Sequence, residues 1–182
     1  MLFGAATGAA LELRAEGEGF RLSGAFPYST EAELAPGRFE RFEAKAFAAR
    51  IEAGEDVHLL FGHDYNRPLA SVRAGSLDIR DTPEALQIEA RIEAGTSWAQ
   101  DFLAAHRAGL IRGLSPGFRV SPGGEAVEPR GNGLLRRITR AELFEVSVVT
   151  RPAFEAAQVE ARSWAAGIVS RLTVHPLARW RL

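Results

Sequence analysis

The sequence contains no cysteine. That removes disulfides, thiolate metal sites and cysteine nucleophiles together, so any covalent catalysis has to run through a hydroxyl. A serine or threonine hydroxyl needs a base to take its proton at neutral pH, and four histidines are available for that role. His63 stands at the end of the apolar run VHLLFGHDYNRPL, where a buried strand gives way to a polar turn with Asp64, Asn66 and Pro68. A strand end is a rigid place to hold a base. The same setting also suits a histidine that only caps a strand or bonds to turn backbone.

Ser115 lies in IRGLSPGFRV between Gly113 and Gly117, whose missing side chains let another backbone or a substrate come close. Pro116 removes the amide directly after the serine as an oxyanion donor, whereas Gly117 keeps its own. The segment is not the strand-turn-helix elbow of the α/β-hydrolases, because a strand follows the serine. A bulged strand with its serine satisfied by main chain is the alternative on this segment alone. In AELFEVSVVT, alternation sets Leu143, Glu145, Ser147 and Val149 on one side and Phe144, Val146 and Val148 on the other. A carboxylate in so apolar a strand needs a cation or donor to meet it, and an imidazolium is such a partner. If Glu145 is instead solvated on a wet face, the third role passes to Glu142, Ser147 or another histidine.

The elements that must hold these groups are mostly short strands. Period-two alternation marks Phe20, Leu22 and Phe26, then Leu77 and Ile79, then Leu86, Ile88 and Ile92. Phe47 and Ile51 sit on one face of a short helix that stops at Gly54. A second helix starts at a capping box of Ser97 and Gln100, aligns Trp98 with Phe102 and closes at Gly109. GLSPGFRVS and AELFEVSVVT read as buried strands separated by the loop SPGGEAVEPRGNG. From Pro152 the pattern turns helical through Phe154, Val159 and Trp164. The predicted class is α+β, a compact β-barrel or curled sheet flanked by helices.

A chain of 182 residues fits one domain, and its net charge of −1 lacks the basic field of a nucleic-acid binder. Its apolar N-terminal stretch is too brief for a membrane span and has no basic start, so a soluble intracellular protein is expected. The expected division is a domain over 1–160 and a tail over 161–182. That tail has no acid and carries Arg162, Arg171, Arg179 and Arg181 beside Trp164 and Trp180. Such a segment can pack on its own domain through its tryptophans, be removed by self-cleavage or contact a partner, and contact with a partner is the expectation.

Taken together, SGAFPY, RFERFEAKAF, LLFGHDYNRPLA, GLSPGFRV and AELFEVSVVTRPAFEAA resemble the prohead proteases of tailed phages over roughly Gly19 to Val159. The resemblance implies a fold shared with herpesvirus assembly proteases, a β-barrel wrapped by helices. It implies His63 as base, Ser115 as nucleophile and Glu145 as the third member, with no metal or organic cofactor. Oxyanion donors would be the Gly117 amide and, by analogy with the herpesvirus enzymes, Arg151 or its backbone. The family more usually has phenylalanine where this chain has Pro116. The implied substrates are the major capsid protein precursor and scaffold, with self-association possible, no nucleic acid and no membrane. The implied place is the assembling prohead in the cytoplasm of a bacterial host. Gene transfer agents encode similar enzymes. The rival readings are a catalytically silent capsid-assembly or scaffolding protein of the same fold, and a small ester or amide hydrolase outside any virus.

Overall fold

The computed structural model describes residues 2–3, 11–16 and 19–150. Arg151, the helix expected from Pro152 and the tail over 161–182 lie outside them. The described residues form thirteen strands and two helices in three sheets.

The first sheet joins β1 (Leu2–Phe3), β10 (Gly113–Val120), β13 (Ala141–Val149), β6 (His58–Phe61) and β7 (Asp64–Ser71), in that order. The second joins β11 (Glu125–Arg130), β12 (Gly133–Ile138), β5 (Arg38–Phe42) and β4 (Ala32–Ala35). The third joins β2 (Leu11–Glu16), β3 (Gly19–Pro27), β9 (Ala85–Glu93) and β8 (Leu77–Asp81). The alternating segments expected as strands are β3, β8 and β9, which pair with one another here. Pairing is antiparallel except between β13 and β6 and between β12 and β5.

All three sheets are open, so the expected barrel wrapped by helices is corrected to a mostly β molecule of three sheets. Alternation correctly marked strands. It carries no information on whether the last strand returns to the first, since closure needs edge strands to share a register across long stretches of chain. The loop expected over SPGGEAVEPRGNG also contains β11, which pairs with β12 as a hairpin. Pro129 is tolerated there because β11 is a sheet edge.

One aromatic from each sheet meets in the core. Phe26 of β3 stands edge-on to Phe42 of β5 at 5.3 Å between centroids, and Phe42 stands edge-on to Phe118 of β10 at 5.0 Å. Phe47 touches all three. These rings are buried, and each such pair adds about 0.5–1.5 kcal/mol beyond its buried area. Phe118 is three residues past Ser115, so the shared core anchors the strand that carries this serine.

Helix α1 (Ala48–Glu52) ends before Gly54, whose φ of 65° closes it as expected. Helix α2 (Ser97–Arg107) is capped one residue earlier than the capping-box pattern placed it. Thr96 accepts from the Ala99 amide at 3.3 Å, and Gln100 reaches back to the Ala94 carbonyl. The helix braces the β6–β7 hairpin: Phe102 packs on Phe61, and the Trp98 indole donates to the Pro68 carbonyl at 2.8 Å. No helix of the described residues is long and apolar enough to cross a membrane.

Candidate active site

β10 and β13 lie side by side in the first sheet, with Ser115 opposite Ser147 and Gly117 opposite Glu145. Directly opposed residues project to the same side, so all four share one face. Ser115, Glu145 and Ser147 are fully buried.

His63 reaches this face from a turn. Phe61 pairs with Asp64, leaving Gly62 and His63 as a two-residue loop in which both residues have positive φ, 69° and 62°. That is the pattern of a type I′ hairpin turn, whose twist suits the flanking strands. Glycine adopts the conformation readily; histidine does so against a steric penalty of about 1–2 kcal/mol. Two bonds tie the turn to β13: Gly62 N–H donates to the Val148 carbonyl at 3.1 Å, and His63 N–H donates to Ser147 Oγ at 2.9 Å.

The His63 ring then meets Glu145, with Nδ1 at 2.7 Å from Oε1. An ionised carboxylate only accepts, so this bond assigns a proton to Nδ1. The second oxygen, Oε2, accepts from the Ser147 hydroxyl at 2.7 Å. Both oxygens of a carboxylate with no exposed surface therefore have donors, which is what its burial requires. Two residues beyond His63, the Tyr65 hydroxyl titrates above the ordinary phenol value. Partial burial is the main cause and the charge of Glu145 the second, with Arg50 opposing both.

Sequence reasoning singled out His63 and Glu145, and the structure brings them together. Ser115 stands on the same face. Glu142 is turned elsewhere, within 3.7 Å of Arg119. Gly117 has a role beyond the one expected of it. A Cβ there would lie 2.0 Å from Glu145 Oε1, so what approaches closely is the carboxylate itself. The contribution of Ser147 was underread, although the alternation that put residues 145 and 147 on one side was its signal. Among the described residues no cluster of three or more His, Asp or Glu could hold a metal ion.

A buried acid bonded to one ring nitrogen of a histidine, on a face that also carries a serine, is compatible with acyl-transfer chemistry. No curated protein and no solved structure matches the chain. A family model described as caudovirus prohead serine protease matches residues 9–168, most of the sequence. By that match the chain belongs to the caudovirus prohead serine proteases, the proteases of phage prohead maturation.

Proposed function

We propose that this protein is the serine endopeptidase that cleaves the major capsid protein precursor, the scaffold or both as the prohead matures. The observation that carries the reading is the His63–Glu145 bond on the face that presents Ser115. In this mechanism His63 Nε2 takes the Ser115 hydroxyl proton as Oγ bonds to the peptide carbonyl carbon. Glu145 holds the ring in the Nδ1-protonated tautomer and stabilises the imidazolium. The tetrahedral adduct then breaks its C–N bond, and the proton passes from His63 to the leaving amine. Water, deprotonated by the same nitrogen, hydrolyses the acyl-enzyme and restores the serine. Charge on the oxyanion falls to the Gly117 amide or to Arg151 or its backbone.

The test is co-expression with the capsid protein precursor. Ser115→Ala and His63→Ala should each lower cleavage by on the order of 10⁴-fold or more, with the chain still folded, since each removes half of one proton-transfer pair. Cleavage near the wild-type rate in either variant overturns the assignment. Normal assembly with no cleavage by the wild-type chain would instead identify a silent assembly protein of the same fold.

A further inference from the structure

We infer that Ser147 is a positioning residue for the His63–Glu145 pair, a reading that rests on the proposed proteolytic site and deepens it. Its hydroxyl has one proton to give and lone pairs to receive, and the structure uses both capacities in one small ring. The proton goes to Glu145 Oε2 at 2.7 Å, and the oxygen receives the His63 backbone N–H at 2.9 Å. The ring closes through His63 Nδ1 and Glu145 Oε1 at 2.7 Å. One buried hydroxyl therefore fixes the carboxylate that orients the imidazole and the backbone that carries it.

Each bond answers a need that the surrounding fold leaves open. In a two-residue hairpin the flanking residues, here Phe61 and Asp64, close the ladder, and the amide of the second turn residue needs a partner from elsewhere. His63 holds a positive φ that histidine does not favour, so a bond to its own amide steadies the conformation from which the ring reaches Glu145. Among the described residues Ser147 is the side chain that donates to Glu145 Oε2, a buried oxygen whose burial requires a donor. The turn has a second tether, Gly62 N–H to the Val148 carbonyl, which involves no side chain. Removing the Ser147 hydroxyl should therefore leave the hairpin docked while releasing the geometry of the pair. That separation marks positioning as distinct from general structural support.

The experiment compares the full-length chain with Ser147→Ala, Ser147→Thr and Ser115→Ala. Cleavage is measured on purified capsid protein precursor, and the state of His63 is read from the ¹⁵N signals of its ring. Ser147→Ala should lower kcat by roughly 10- to 100-fold with KM little changed, because the loss is of alignment and not of substrate contact. Its His63 ring should move from the Nδ1-protonated tautomer toward a mixture, and the His63 amide should exchange faster with solvent. Ser147→Thr keeps the hydroxyl and should restore most of the rate and the tautomer. Should Ser147→Ala not fold, Ser147→Cys, similar in shape but a weak donor, is expected to show the same losses. Unchanged His63 signals in a folded Ser147→Ala protein, or a threonine variant as impaired as alanine, would overturn the inference. The parent reading fails separately: if Ser115→Ala still cleaves, Ser115 is not the nucleophile, and the ring signals of His63 alone then decide whether Ser147 positions the His63–Glu145 pair.

Discussion

Glu145 can occupy its place because the residue across the ladder has no side chain. A Cβ on Gly117 would fall 2.0 Å from Oε1, 2.7 Å from Cδ and 2.9 Å from Cγ of Glu145, well inside contact distance. Oε1 is the oxygen that His63 uses. Gly117→Ala should therefore push the carboxylate off the imidazole, costing about 1–3 kcal/mol of stability and roughly 100-fold in precursor cleavage. An alanine retains its backbone N–H. If Gly117 acted only as an oxyanion donor, the variant would cleave at the wild-type rate, so the cleavage assay separates clearance from hydrogen bonding. At this scale the sequence was informative: the alternation of AELFEVSVV and Gly117 two residues past Ser115 singled out side chains that the fold places on one face. Chain order did not reveal which group would fill the space over Gly117, because Glu145 is distant in sequence and meets it only once β10 and β13 are in register.

The β6–β7 hairpin exchanges local comfort for the position of one ring. Gly62 and His63 both have positive φ, and the second of these residues is not glycine. Replacing His63 by glycine and by alanine removes the same imidazole in both cases, so comparing the two isolates the conformational term. The glycine variant should be more stable by about 1 kcal/mol, read as a higher denaturation midpoint, and both should be inactive. Equal stability would mean that the turn relaxes once the ring is gone. Helix and strand existence was legible at this scale, because periodicity and Gly54 and Gly109 are local signals. The cap of α2 was misplaced by one residue since Thr96 and Ser97 are both competent caps and the choice depends on where the preceding strand ends. β11 was hidden because an edge strand with a proline and flanking glycines has the composition of a loop.

At the scale of the whole molecule, three open sheets share one aromatic core, and the second sheet contains an ion pair that periodicity could not disclose. Arg136 of β12 lies beside Glu40 of β5 in a parallel ladder, and its Nη1 donates to Glu40 Oε2 at 2.8 Å. The arginine is 2% exposed and the glutamate fully buried, and Glu125 of β11 also pairs with the guanidinium. The group thus links three adjacent strands, but two of its members are nearly a hundred residues apart, and LLRRI by itself reads as an ordinary half-exposed strand. A buried pair of this kind is worth little against a well-packed apolar replacement, because desolvation offsets most of the attraction; breaking it is another matter. Arg136→Ala removes the guanidinium that Glu40 and Glu125 share and should lower unfolding stability by about 3–5 kcal/mol. Combining Arg136→Met with Glu40→Leu removes both buried charges while keeping apolar volume, and should recover most of that loss. Guanidinium-induced unfolding of the wild type, the single variant and the double variant measures the difference. None of the described candidate site residues lies in this sheet, so the folded fraction of each variant should cleave precursor at the wild-type rate. A double variant as unstable as Arg136→Ala would show that the pair stabilises the sheet outright, and lost cleavage in a fully folded double variant would show that its geometry extends to β10.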